Sequence, residues 1–137
     1  MSQSITVEVA VNILREKAWE FFTKPEHITQ WNNASPDWEC SRAGNDLKVG
    51  GTFSYRMQAK DGSGKFDFSG TYTEIVPNEI IGYKIGDGRK VRVIFETKEG
   101  VTHVTEMFET ESQNPIELQR DGWQSILDNY KKYAERR

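Results

Sequence analysis

Between Trp38 and Thr110 the chain is a succession of short alternating stretches, and no interval between them is long enough to hold a crossover helix. A parallel neighbour needs a return connection of about a dozen residues or more, whereas antiparallel neighbours can be joined by two to five. The breaks here are tight turns: Gly44-Asn45-Asp46, Gly50-Gly51, Asp61-Gly62-Ser63-Gly64, Pro77-Asn78, Gly86-Asp87-Gly88 and Lys98-Glu99-Gly100. They separate stretches such as TFSYRMQA, FDFSGTYTEIV, KVRVIFET and VTHVTEMFET, in which large apolar residues recur at every second position. The pattern predicts about six strands in an antiparallel meander.

Helical spacing flanks this region on both sides. Residues 5–13 still alternate, with Ile5, Val7, Val9, Val11 and Ile13 on one strand face. Residues 15–23 then switch to a helical stripe of Ala18, Trp19 and Phe22, with Phe21 at its edge. Pro25 suits the first turn of a second short helix running to Trp31, and residues 32–36 are polar loop. After Pro115, with Asn114 as the expected N-cap, residues 116–135 form one long amphipathic helix. Its expected inner face carries Leu118, Gly122, Ile126, Tyr130 and Tyr133, widened by Trp123 and Leu127. A helix of that length spans ~30 Å, enough to cross the whole sheet. The fold class is therefore α+β, in the order β-α-α-β6-α: a curved antiparallel sheet gripping a long C-terminal helix around an internal apolar cavity. Gly122 bears on the cavity. Glycine inside a helix is unfavourable by about 1 kcal/mol against alanine, so it marks close packing on the sheet or room left open.

Several function classes fall away. A formal charge of -3 with scattered Lys and Arg gives no footprint for nucleic acid or an anionic membrane. The cluster Lys131, Lys132, Arg136 and Arg137 ends a helix, where cations favour the dipole. One cysteine, Cys40, excludes an internal disulfide and offers no metal spacing, so it is expected as a small buried residue. The alternating start lacks the apolar run of a signal peptide, and no stretch approaches a membrane span, which points to the cytoplasm. The 137 residues fit one domain covering 1–137. His27 and His103 have no nucleophile partner in a recognisable arrangement, and the glycine groups lie between strands rather than opening a helix. No metal or cofactor is expected.

The ordered set of local signatures resembles a known family. They are Ala18-Trp19 with Pro25-Glu26-His27-Ile28 and Trp31, then Val49-Gly50-Gly51-Thr52-Phe53, Phe68-Ser69-Gly70-Thr71-Tyr72 and Glu74-Ile75-Val76-Pro77. Val93-Ile94-Phe95-Glu96, Thr102-His103-Val104-Thr105 and Gly122-Trp123 with Ile126-Leu127 complete it. Together they resemble the START-type helix-grip (SRPBCC) superfamily, which includes the birch-pollen allergens and polyketide cyclases. Within it the likeness is to the branch named for the activator of the heat-shock-protein-90 ATPase. The resemblance implies an elongated, largely hydrophobic cavity between sheet and C-terminal helix. Relatives bind lipids, hormones or flavonoid-like molecules, and some catalyse cyclisations. The activator itself has an additional N-terminal domain that these 137 residues do not accommodate, which weakens a co-chaperone reading.

Alternation and resemblance together give the expected ligand-binding residues. The strands supply Phe53, Tyr55, Met57, Phe68, Tyr72, Val93, Phe95, Val104 and Glu106; the helix supplies Trp123, Ile126, Leu127 and Tyr130; Trp31 closes one end. Aromatic rings and a methionine make an adaptable apolar lining. Glu106 is the odd member, since the T-x-V-x-E-x-F alternation turns its carboxyl inward, where it must be paired, hydrogen-bonded or protonated. Three readings stay open. The first is a module binding a small hydrophobic, aromatic or lipid-like molecule. The second is a cyclase- or hydratase-type enzyme using Glu106 with the Tyr55 or Tyr72 hydroxyl. The third is a protein-interaction domain with an exposed patch at Ile80, Ile81 or the helix tyrosines, and oligomeric state is open.

Overall fold

The computed structural model describes residues 3–137 of the chain. The elements are β1 (Ser4–Val11), α1 (Arg15–Thr23), α2 (Pro25–Trp31), β2 (Trp38–Asn45), β3 (Thr52–Ala59), β4 (Lys65–Val76), β5 (Ile80–Ile85), β6 (Lys90–Lys98), β7 (Val101–Glu109) and α3 (Ile116–Glu135). This is the order β-α-α-β6-α read from the sequence. The strands form one seven-stranded sheet in the order β1-β7-β6-β5-β4-β3-β2, every neighbouring pair antiparallel. The first strand joins beside the last, so α1 and α2 carry the chain from one edge of the sheet to the other. Bulges between Cys40 and Arg42 and between Tyr72 and Glu74 add local twist, and the sheet curls into a half-barrel around α3.

The concave face holds the core. Ile5, Val7, Val9 and Val11 of β1 are buried, and they lie opposite Phe108, Glu106, Val104 and Thr102 of β7. On the next strand Val91, Val93 and Phe95 continue the layer. Aromatic packing makes the floor of the other half. The Phe53 ring has centroids at 5.0 Å from Tyr55, 5.3 Å from Tyr72 and 5.0 Å from Tyr83. It can lie there because its partner on β4 is Gly70, where an added Cβ would stand 2.8 Å from the Phe53 ring.

Four local expectations are revised. β1 ends at Val11 rather than at residue 13, because the chain bends there: the Asn12 N–H donates to the Glu135 carboxylate at 3.0 Å and the Ile13 N–H to the Val11 carbonyl at 2.8 Å. Asn114 is not the cap of α3. Pro115 holds the N-cap position without a side-chain bond, and the Asn114 amide instead donates to Glu111 at 3.1 Å. Leu118 is 59% exposed, and the buried residues of α3 are Gln119, Leu127, Tyr130 and Ala134. The proposed exposed patch also changes. Ile81 and Tyr130 are buried in the core, since β5 lies in the middle of the sheet and Tyr130 packs beneath α1.

Candidate functional site

One half of the concave face is filled by side chains and the other is not. At the filled end α1 supplies the plug. Trp19 and Phe22 meet Phe95 edge-on at 5.3 and 5.4 Å, and the Tyr130 hydroxyl donates to the Ala18 carbonyl at 2.6 Å. Toward the start of α3 no element covers the sheet as closely, and a cavity of about 310 Å³ remains. That is at the small end of the volumes that hold organic ligands, about 300–1,000 Å³.

Of the residues expected to line it, Trp31, Phe53, Tyr55, Met57, Phe68, Tyr72, Glu106, Trp123 and Ile126 do so. Val93, Phe95, Val104, Leu127 and Tyr130 do not reach it. All five are fully or almost fully buried in the packed end. Alternation assigned the three strand residues to the correct face, but side chains of α1 pack over Phe95 and against Tyr130. Residues outside that set that also line it include Phe22, Tyr83 and Gln119, and Leu118 of the expected inner helix face. Tyr83 was within reach of the sequence, because it alternates with Ile81 and Ile85 and pairs with Tyr72. Gly122 faces open space, so its role is room rather than close approach: an added Cβ would meet nothing within 4 Å.

Each wall has a structural cause. Trp123 is stacked on Phe108 at 4.1 Å with planes 9° apart, which presents it to Phe68 at 6.3 Å. Trp31 is held by its indole N–H, which donates to the Phe21 carbonyl at 2.9 Å, and by rings of Phe22 and Tyr130 at 5.3 and 5.2 Å. Gln119 anchors the start of α3. Its amide donates to the carbonyls of Glu111 and Asn114 at 3.1 and 2.9 Å, and its carbonyl oxygen accepts from the Glu111 N–H at 3.0 Å. The Asn45 amide donates to the Tyr72 hydroxyl at 3.2 Å and to the Thr23 carbonyl at 2.8 Å, tying β2 to β4 and α1.

Glu106 is the one acidic side chain in the lining. It is 6% exposed and lies between Val7 of β1 and Val93 of β6, which are its neighbours in the two flanking strands. Among the described residues none forms a hydrogen bond or ion pair with its carboxyl, whose oxygens are still reachable from the cavity. Burial alone pushes it up to about 8. Burial, reinforced by Glu106, also raises the phenols of Tyr83 and Tyr130, and burial with the nearby Tyr72 hydroxyl raises Tyr55. Among the described residues no tyrosine hydroxyl is hydrogen-bonded to Glu106, although Tyr83 and Tyr130 are near enough for its charge to act on their phenols. Arg89 reaches the rim, but its guanidinium donates to Asp87 at 2.8 Å.

The other reactive side chains lie elsewhere. Burial raises the Cys40 thiol and leaves it a packing residue. His27 sits against Phe21 with its Nδ1 2.5 Å from the Tyr133 hydroxyl, and His103 lies on a strand position opposite in parity to Val104. Among the described residues no group of three His, Cys, Asp or Glu side chains is placed to hold a metal ion. Among the described residues no helix is long and apolar enough to cross a membrane.

Comparison with known proteins places this architecture. Residues 12–135 match the family described as activator of Hsp90 ATPase homolog 1-like protein. The solution structure of an AHSA1-like protein from Aeromonas hydrophila is 40% identical, with a TM-score of 0.92 over 98% of this chain and 93% of that one. A protein from Cytophaga hutchinsonii is 50% identical, with a TM-score of 0.84 over 97% of this chain and 92% of that one. An Aha1 dimer from Colwellia psychrerythraea shares the fold at 15% identity, with a TM-score of 0.76 over 97% of this chain and 96% of that one. A search of curated proteins finds no match. With its sheet, its gripped helix and its sequence all in agreement, the chain belongs to the family of activator of Hsp90 ATPase homolog 1-like proteins.

Proposed function

We propose that the protein is a cytoplasmic carrier or sensor that binds one small hydrophobic, ring-bearing molecule in the cavity between sheet and α3. The observation that carries this reading is the unfilled aromatic chamber itself. Phe53, Tyr55, Phe68, Tyr72 and Trp123 converge on about 310 Å³ of space, although the same sheet face is packed solid a few residues away. An apolar space of this size kept open next to a close-packed core gives up packing that large side chains could supply. A ligand recovers it.

The test is native mass spectrometry of the purified protein, followed by a thermal-shift screen against flat aromatic and fatty-acid ligands. Binding to the folded state raises apparent stability by mass action. A co-purified mass, or a saturable shift lost in a folded Trp123→Ala protein, supports the reading. Neither an adduct nor a shift across the panel removes it.

A second reading is a protein contact at the cavity mouth. Phe66 and Leu118 on the rim are 53% and 59% exposed, and a relative of the same fold is a dimer. Under this reading Leu118→Ser weakens an association seen by sedimentation, and under the first it leaves a monomer unchanged.

A further inference from the structure

Resting on the binding reading above, we infer that the cavity takes an apolar organic cation, an aromatic or alkyl amine in its ammonium form, with the Glu106 carboxylate as its counter-charge. The polar groups facing the cavity are unevenly signed. Glu106 is 6% exposed, has no hydrogen-bond or salt-bridge partner among the described residues, and is open to the cavity. The one cationic side chain in the lining is Arg89, whose Nε donates to Asp87 at 2.8 Å. An anionic ligand therefore finds one cation, at the rim and already paired with Asp87, and meets Glu106 inside. A neutral ligand finds apolar walls and the hydroxyls of Tyr55, Tyr72 and Tyr83, but brings no charge to Glu106. An ammonium group finds a carboxylate that lacks a partner and ring faces that attract cations, such as those of Tyr83, Tyr72 and Trp123. Removing water from a carboxylate is unfavourable unless a charge and hydrogen bonds replace it, and the N–H groups of an amine provide both.

The groups facing Glu106 come from every element around it. Val7 and Val93 flank it on β1 and β6, Tyr83 faces it from β5, Tyr130 from α3, and Arg89 from the turn before β6. None lowers its affinity for a proton, which burial holds up at about 8. The empty site at neutral pH thus carries mainly the acid form. An ammonium ligand requires the carboxylate, so binding discharges the Glu106 proton to solvent. Recognition and proton release are one event.

The experiment uses three ligands that share an indole ring: tryptamine, tryptophol and indole-3-propionate. Each is titrated against the full chain loaded with the uncharged fluorophore N-phenyl-1-naphthylamine, at about pH 7, with calorimetry in buffers of different ionisation enthalpy. Tryptamine is expected to displace the fluorophore at least about tenfold more effectively than tryptophol, with indole-3-propionate weakest. Tryptamine binding releases close to one proton and tryptophol binding none. Glu106→Gln erases both the preference and the proton release but still binds the fluorophore, while Glu106→Asp keeps part of the preference. Circular dichroism confirms that both variants are folded. Fluorophore binding with tryptophol equal to or better than tryptamine overturns the cation inference and leaves the binding reading standing. So does a preference unchanged in Glu106→Gln. Failure of the fluorophore to bind at all removes the binding reading and this inference with it.

Discussion

The two ends of the concave face are built from the same strands and the same helix, yet one is solid and the other hollow. At the solid end Phe95, Val104, Leu127, Tyr130 and Ala134 are at most 1% exposed, and Trp19 and Phe22 of α1 lie across them. At the hollow end the corresponding layer of Tyr55, Phe68, Trp123 and Ile126 is only half-buried, and Gly122 faces empty space. The difference is coverage. Two layers of secondary structure close where a third element is laid over them. They stay open near the start of α3, where Leu118 is exposed and Gly122 meets nothing within 4 Å. The packed end is expected to carry more of the stability, and the open end is where we propose that a ligand binds.

The comparison breaks most visibly under truncation. Leu127→Ala at the packed end is expected to lower stability by about 2–5 kcal/mol, because the void left behind cannot collapse. Phe68→Ala at the open end removes more atoms but is expected to lower it by less than about 2 kcal/mol, since its side chain is only partly surrounded already. Denaturant unfolding of the two variants checks the ranking. Equal losses would show that the two ends are packed alike.

An effect of opposite sign concerns Glu106. The folded protein holds this proton up to about 8, against an ordinary value of 4.5. The folded state therefore binds more protons than the unfolded state between those two values, and stability falls as pH rises through that window. Glu106→Gln removes the penalty. The variant is expected to exceed the parent by on the order of 3 kcal/mol near neutral pH, with the gain growing from about pH 5 to about pH 9. Thermal unfolding across that range tests it, and a gain independent of pH would mean that Glu106 already has a partner.

Much of this was legible in the sequence, for a physical reason. Period-two alternation and tight turns define which residues share a sheet face, and a helical stripe after Pro115 can only pack on that face. Glu106 was found in this way, as an acid at an apolar position. What alternation does not carry is distance along the groove. It placed Phe95 and Phe68 on one face, but which of them meets α1 and which meets space depends on how far α1 reaches across the sheet. That depends on long-range pairing of β1 with β7, which no local pattern states. The stripe placed Leu118 on the cavity face with Gly122 and Ile126, but did not show that it would stand at the exposed mouth. The Asn114 cap yielded to Gln119, whose side chain satisfies the loop in its place.

The smallest effect sharpens the role of Gly122. Gly122→Ala is expected to raise stability by about 1 kcal/mol, because the helix gains propensity and the methyl group enters open space. Gly122→Leu should remain folded and lose ligand binding, by filling the chamber. A destabilised Gly122→Ala protein would show that the helix packs tightly there.

The most direct test of the cavity as the binding site uses the indole N–H signals of the four tryptophans as internal reporters. Trp31 and Trp123 line the cavity, whereas Trp19 lies against Phe95 at the packed end. Nitrogen–proton correlation spectra are recorded while N-phenyl-1-naphthylamine is titrated into labelled protein. Saturable shifts of Trp31 and Trp123 with Trp19 unmoved are the predicted result. Shifts spread equally over all the indoles, or none at Trp31 and Trp123, would contradict the account.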